Sequence, residues 1–331
     1  MLRMDGFRFL AARSPEEAVA HYHGHDEAMY VAGGTDLLPN VKHRIFRPRH
    51  LVGLAGALPR GWSVRDGEVE IGAGTTLAAL TGIAELPALA SAAGVVAGPQ
   101  IRNMGTLGGN VLLDTRCLFY NQTEHWRVSL GHCLKAEGDW CHVINGPKTC
   151  VATQSSDTVP VLLALGARIR MLGPDGPREL AMRDLYRFNG MDHLALTPGE
   201  LLTHVVVPLP AAANRSSYQK LRVRGAIDFP QLSIAITGTF DGLGETAVAP
   251  DLEIVVGAVN PQPKPVAGMA KVNTGPLTDA RIDAIAALTV KRTRPQASTH
   301  GDPAWRRHMA GIFVGRALRA LRDGQPVRVE A

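Results

Sequence analysis

Residues 28–40 read AMYVAGGTDLLPN: a short apolar run, two adjacent glycines, then a polar–apolar stretch that continues to Lys42. Residues 28–32 have the length and apolar continuity of a buried strand, Gly33-Gly34 supplies a tight turn, and residues 35–42 carry the pattern of an opening helix. A second apolar run at 51–54, with Pro48 marking the loop before it, completes a small βαβ-like unit over residues 1–57. Glycines at a strand end also bear on ligands, because without Cβ atoms the backbone N–H groups can turn toward an anion, and Thr35 adds a hydroxyl donor. Taken alone, a glycine pair is weak evidence for a ligand, since most such pairs simply make turns.

Downstream, EVEIGAGTT at 68–76 predicts a strand with a glycine-marked bend, and the Ala/Leu-rich stretch 77–96 predicts two helices broken near Pro87. A helix over 159–165 behind Asp157 and a strand over 167–171 lead to the turn Gly173-Pro174-Asp175-Gly176. The Ala/Asn/Ser-rich sequence after Pro210 places a domain boundary near residue 212. Beyond it, strand-like runs at 218–223, 232–240 and 252–259 precede two helices. The last helix, about 303–321, carries Met309, Phe313, Ala317 and Leu321 on one stripe, read as core packing in preference to a subunit contact. The expected class is α+β, with domain 1–212 divided at residue 57 and a second domain over 213–331.

A second glycine-rich segment, AGPQIRNMGTLGGNV at 97–111, alternates polar donors with glycines and has the character of a loop that wraps a cofactor. It fits neither G-x-G-x-x-G nor G-x-x-x-x-G-K-[ST], so neither a Rossmann nor a P-loop assignment is supported. VAGGTDLL (31–38) and AGPQIRNMGTLGGNV, in this order and separation, resemble the two flavin loops of the xanthine oxidase and carbon monoxide dehydrogenase flavoprotein subunits. SSDTVPVLLALGA (155–167) and SYQKLRVRGAIDFPQLSIA (217–235) extend that resemblance to nearly the whole chain. It implies a two-part FAD-binding domain of the PCMH/vanillyl-alcohol-oxidase type, followed by a C-terminal α+β domain as in the CO dehydrogenase flavoproteins.

By the same resemblance, Val31, Ala32, Gly33, Gly34, Thr35, Asp36, Leu37 and Leu38 hold the FAD pyrophosphate, and Thr106, Gly108, Gly109 and Asn110 make a second contact. Asp157 is implied near the ribose or adenine, with a helix N-cap as its structural alternative. Lys220 is implied near the flavin ring, with a solvated strand lysine as its alternative.

All four cysteines, Cys117, Cys133, Cys141 and Cys150, fall within one short stretch in the spacing C-x15-C-x7-C-x8-C. In a reducing cytoplasm such clustering points to metal thiolates before disulfides. Four thiolates suit either Zn²⁺ or an iron–sulfur cluster, and the absence of a C-x2-C pair favours neither a zinc ribbon nor a ferredoxin run. Most flavoprotein subunits of the resembled family run almost directly from the second glycine loop to the counterpart of Ser156-Asp157. Here some forty residues intervene, an insertion over about 115–155. The segment resembles the insertion that marks the 4-hydroxybenzoyl-CoA reductase branch, which implies a [4Fe–4S] cluster on the four cysteines. With four thiolates available, His125, His132 and His142 are given no ligand role.

The resemblance further implies a molybdenum-pterin α subunit and a [2Fe–2S] γ subunit as partners, and reduced ferredoxin as donor. Substrate chemistry then lies on another chain, and no acid, base or nucleophile is assigned here. Two other readings stand beside this one. The first is a hydroxylase flavoprotein subunit whose cysteines clip a structural zinc, and the second is a scaffold that has lost FAD, against which the intact glycine loops speak.

Composition narrows the field. At 331 residues and 45% hydrophobic, the chain can bury a sizeable core. Its net charge of +5 is dispersed among nearly as many acids, and aromatics are only 5%, so no nucleic-acid stripe or stacking platform is expected. No apolar run approaches the ~20 residues of a membrane span, and the start carries no signal-peptide pattern, so a cytoplasmic location away from membranes is expected.

Overall fold

The computed structural model of the chain describes residues 3–146, 148–327 and 329. The first unit runs β1 (Arg8–Ala11), α1 (Pro15–His23), β2 (Ala28–Val31), α2 (Leu37–Lys42) and β3 (His50–Gly53). The strands form a parallel sheet in the order β1-β3-β2. Ser14 caps α1 by accepting the Glu17 N–H at 3.2 Å, and Pro15 opens it with a preset φ. Val52 and Leu54 of the sheet side bury against Ala18 and Val19 of α1.

The second unit contains β4 (Trp62–Arg65), β5 (Glu68–Gly72), α3 (Leu77–Leu80), α4 (Pro87–Gly94), α5 (Pro99–Met104), α6 (Leu107–Val111), α7 (Glu124–Ser129), α8 (Thr158–Ala164), β6 (Arg168–Gly173), β7 (Gly176–Ala181), α9 (Met182–Leu185) and β8 (Leu201–Pro208). Its five strands are antiparallel in the order β4-β5-β8-β6-β7. Val69, Ile71, Ile169, Met171, Val205 and Val207 alternate inward along three of them and bury against α3, α4, α6 and α8.

The second glycine segment, expected as a loop, instead folds into α5 and α6. Pro99 starts α5, and Thr106 caps α6 by accepting the Gly109 N–H at 3.1 Å, so local capping outweighs the cost of glycine inside a helix.

The C-terminal unit runs β9 (Asn214–Leu221), β10 (Leu232–Thr239), β11 (Glu253–Gly257), β12 (Lys264–Pro265), α10 (Asp279–Arg292) and α11 (Pro303–Arg322). Its sheet is antiparallel, ordered β12-β11-β10-β9. Period two divides its faces: Ile234, Ile236, Ile254 and Val256 bury with α10 and α11, whereas Ala235, Val255 and Tyr218 join the core of the second unit. The α11 stripe packs inward as expected, with Phe313, Ala317 and Leu321 buried and Met309 packed against them. Burying a side chain such as Phe313 contributes roughly 1.5–3 kcal/mol. The molecule is therefore α+β throughout, and α4 and α8 lie against β9, β10 and β11 to join its two large units.

Candidate flavin cavity and thiol cavity

A cavity of about 640 Å³ opens between the units, within the range of ligand sites and lined by both glycine segments. Val31, Ala32, Gly33, Gly34, Thr35, Asp36 and Leu37 form one wall, and Thr106, Gly108, Gly109, Asn110, Asp114 and Asp157 contribute another. Two glycines make that approach possible. A Cβ on Gly33 would lie 1.9 Å from the Met104 carbonyl oxygen, so only glycine lets the first segment press against the second. One on Gly108 would lie 2.9 Å from the Ala73 Cβ. Gly34 has φ +68°, the left-handed region that favours glycine.

Leu38 lies outside the lining and packs over Gly34. The Gly109 N–H is taken by Thr106 Oγ1, and the Asn110 Oδ1 accepts from Ser156 Oγ at 2.6 Å and Thr158 Oγ1 at 2.6 Å. Asn110 thus ties α6 to the start of α8. Asp36 pairs with Arg116 and accepts from Asn40 Nδ2 at 3.2 Å. The Arg116 guanidinium also stacks 3.9 Å over the ring of Phe229, another cavity-lining residue.

Asp157 occupies the N-cap position of α8, but its side chain caps nothing. The buried carboxylate accepts from Tyr218 Oη at 2.6 Å and from Lys220 Nζ at 3.1 Å. Burial pushes its pKa up, against the pull of the Lys220 ammonium and the Tyr218 hydroxyl. Lys220 is 0% exposed and also donates to the Val95 carbonyl at 3.1 Å. It is neither a solvated strand lysine nor a lining residue of the cavity: positions 218 and 220 share one face of β9, which turns both side chains onto the same carboxylate.

Replacing Lys220 by Met leaves Asp157 buried without its cation, a change that typically costs about 3–5 kcal/mol. The expected result is a clear fall in melting temperature, partly recovered in the double variant Asp157→Asn/Lys220→Met. A melting curve superimposable on that of the unaltered protein rules out the buried pair as a structural link.

The cysteine segment folds over the first unit. Buried Arg127 of α7 donates to the carbonyls of Gln122, His43 (3.2 Å) and Arg44 (3.0 Å), while Glu124 pairs with Arg44 and Arg47. All four cysteines line one small cavity together with Tyr120, Lys135 and His142. None is in a disulfide, and Cys117, Cys133 and Cys150 are buried. Burial, first, and the neighbouring cysteines push the Cys117 thiol up to about 12, against a backbone N–H at Phe119. The Cys150 thiol is raised chiefly by burial, and its sulfur accepts the Ala152 N–H at 3.4 Å.

No group of three or more His, Cys, Asp or Glu side chains among the described residues is gathered as a metal ion requires. The expected metal site at the four cysteines is therefore a shared cavity without a closed coordination sphere. Neutral thiols pack as small apolar groups, and each here follows its own local contacts. Both nitrogens of His142 are engaged, one with Gly131 O at 2.7 Å and the other by Trp140 Nε1 at 3.3 Å.

Residues 114–117 run from one cavity lining to the other. Asp114 lines the flavin-side cavity and Cys117 the thiol cavity, while Arg116 reaches Asp36. Asp114, Arg116, Lys135 and Tyr218 were not singled out by sequence reasoning. Only Tyr218 carried a readable signal, its two-residue spacing from Lys220 on a strand.

Fold and cavity together define an FAD-binding flavoprotein subunit. Residues 5–210 match the family model for the FAD binding domain in molybdopterin dehydrogenase, and residues 216–321 match that for the CO dehydrogenase flavoprotein C-terminal domain. The chain belongs to the FAD-binding subunits of the molybdenum hydroxylase family. It is 31% identical to the carbon monoxide dehydrogenase medium chain of Afipia carboxidovorans, over 88% of each chain. It is 33% identical to the Escherichia coli aldehyde oxidoreductase FAD-binding subunit, over 74% of this chain and 81% of that one. Reconstituted CO dehydrogenase from Oligotropha carboxidovorans superposes with a TM-score of 0.75 at 28% identity, covering 96% of this chain and 99% of that one. No helix among the described residues is long and apolar enough to cross a membrane.

Proposed function

We propose that this chain is the electron-relaying FAD subunit of a reductase of the 4-hydroxybenzoyl-CoA type. The observation that carries the proposal is the thiol cavity: four unpaired cysteines from an inserted segment line one space, and the same stretch of chain contributes Asp114 to the flavin cavity and Cys117 to this one. The donor set has the chemistry of a [4Fe–4S] site, with four soft ligands, three of them buried, and backbone N–H groups directed at sulfur.

In this reading the four cysteines would hold the cluster and the glycine segments would hold FAD, and these groups would supply a path for two electrons from reduced ferredoxin toward the [2Fe–2S] and molybdenum-pterin subunits. There, with two protons, they replace the phenolic hydroxyl by hydrogen and release water. The residues of this chain bind and position. The loop from Val31 to Leu37, centred on Gly33 and Gly34 and backed by Leu38, cradles the pyrophosphate, while Thr106, Gly108, Gly109 and Asn110 shape the opposite wall. Asp157 faces the ribose side, and Lys220 acts through Asp157. The unpaired cysteines suit a reducing cytoplasm.

A second reading, a hydroxylase subunit passing electrons outward, is favoured by the relatives named for carbon monoxide and aldehyde oxidation. Iron, acid-labile sulfide and flavin analysis on anaerobically purified protein tests the cluster, with about four irons and four sulfides per FAD expected. Function is then read in the complex. Oxidation of reduced ferredoxin that depends on 4-hydroxybenzoyl-CoA supports the reductase, whereas flavin reduction by an oxidisable substrate without ferredoxin establishes the hydroxylase.

A further inference from the structure

The first wall of the flavin cavity ends where α2 begins, and α2 does not hold its own position. It has 6 residues, of which only Asn40 and Val41 are buried. A helix shorter than about 12 residues is marginal without tertiary support. Asp36 stands at its N-cap position, but its side chain caps nothing. At the other end Arg44 has φ +57°, while the Arg44 N–H donates to the Val41 carbonyl at 2.9 Å and the Ile45 N–H to the Asn40 carbonyl at 2.9 Å. This is a Schellman ending with arginine at the left-handed position where glycine is unstrained.

The inserted segment holds α2 at both ends. Arg116 pairs with Asp36 at the start, and its guanidinium lies 3.9 Å over the ring of Phe229. One side chain thus joins the first glycine segment to the connection between β9 and β10. Arg127 donates to the His43 carbonyl at 3.2 Å and the Arg44 carbonyl at 3.0 Å, groups of the kind a helix end leaves without intrahelical partners. Ile45 packs on the apolar cluster of Cys117, Tyr120, Cys133, Cys150 and Ala152. The exposed pairs of Glu124 with Arg44 and Arg47 add little, so the weight falls on Arg116 and Arg127, whose side chains are largely buried.

The segment is in turn footed on the C-terminal unit. Arg116 exchanges backbone hydrogen bonds with Thr153, and Thr153 Oγ1 meets Ser298 Oγ at 2.7 Å. The Leu118 N–H donates to the Ser298 carbonyl at 2.8 Å, and the Gln154 N–H to the Asn260 carbonyl at 3.0 Å.

We propose that the inserted segment is a brace for α2, with Arg116 and Arg127 as positioning residues that hold the first glycine segment in place on the flavin cavity. The inference rests on FAD binding by the two glycine segments and on neither the cluster nor the reductase reading. It requires no contact between either arginine and FAD, because the wall from Val31 to Leu37 is continuous with α2 and shifts with it.

Two measurements test it on the full chain: the rate at which FAD leaves the loaded protein after dilution, and amide hydrogen exchange over residues 37–45 in FAD-free protein. Arg116→Gln and Arg127→Gln are each expected to speed FAD loss at least about tenfold and to raise exchange in α2. Arg116→Lys keeps a cation for Asp36 and stays closer to the unaltered rates. In an Asp36→Asn background Arg116→Gln has a smaller effect on FAD loss, because its partner is already gone. Phe313→Leu, which loosens the C-terminal core, is the control for general loss of stability and releases FAD at the unaltered rate.

Arginine variants that release FAD no faster than this control overturn the proposal, as does unchanged exchange in α2. If Arg127→Gln does not fold, the Arg116 variants decide alone. An unaltered protein that cannot be loaded with FAD sinks the flavin-binding reading itself, and exchange in the FAD-free variants still decides whether the segment braces α2.

Discussion

Gly33→Ala yields a protein that no longer retains FAD through purification, with its affinity reduced by at least about a hundredfold, or roughly 2.7 kcal/mol. The added carbon would stand 1.9 Å from the Met104 oxygen and 2.5 Å from the Met104 carbonyl carbon, and both are backbone atoms that no rotamer change can move aside. The first glycine segment must therefore separate from the end of α5 by more than 1 Å, and with it the wall from Val31 to Leu37 leaves its place opposite α6. Gly82→Ala is the matched control, since its Cβ would meet only the Ala79 carbonyl at an ordinary 3.5 Å. The ratio of flavin to protein absorbance, and a reconstitution titration with added FAD, read the effect. A Gly33→Ala protein that binds FAD as tightly as the control rules out the close approach of the two segments as the basis of the site.

That close approach shows where sequence reading succeeds and where it stops. The strand over 28–31 and the helix after the glycines were legible because apolar continuity, a glycine pair and the following periodicity are all local. The strands β10 and β11 were legible for the same reason, as apolar runs over 232–240 and 252–259, whereas the division of their faces, with Ile234 and Ile236 on one side and Ala235 on the other, belongs to the packing. The helices α5 and α6 were hidden because their glycines suggest a loop, while the forces that make them helical are a proline at the first turn and a threonine cap.

The site divides in the same way. Asp157 and Lys220 could be named from resemblance, but their pairing across 63 positions, and the burial that keeps Lys220 out of the cavity, belong to tertiary packing. Arg116 is the sharper case. Nothing in its place just before Cys117 indicates that it bonds Asp36 in the other glycine segment and stacks on Phe229. Likewise, sequence clustering put four cysteines together, but only the fold places Lys135 between them and Asp114.

The double substitution Cys133→Ser/Cys141→Ser is expected to lower iron and sulfide from about four per chain to less than about one, while FAD stays near one per chain. Serine oxygen is a hard and weakly acidic donor, so the loss of two of four thiolates removes the soft ligand field that holds iron and sulfide. FAD persists because neither residue lines the flavin cavity, and the stretch 114–117 is anchored independently of both. Arg116 exchanges backbone hydrogen bonds with Thr153 at 2.7 and 2.8 Å, and Asp114 is held by Lys135. Cys133 is buried beside Tyr120 and Ala152 and Cys141 is partly exposed, so only one of the two changes places a hydroxyl in an apolar cluster, and the fold is expected to survive it. Parallel metal analysis separates three situations. Loss of iron with FAD retained supports the cluster at these cysteines. Unchanged iron in the variant places any cluster on other ligands and removes the ground for a reductase relay. About one zinc and no iron in the unaltered protein gives the inserted segment the role of a structural clip, and with it an outward flow of electrons through a hydroxylase-type flavin subunit.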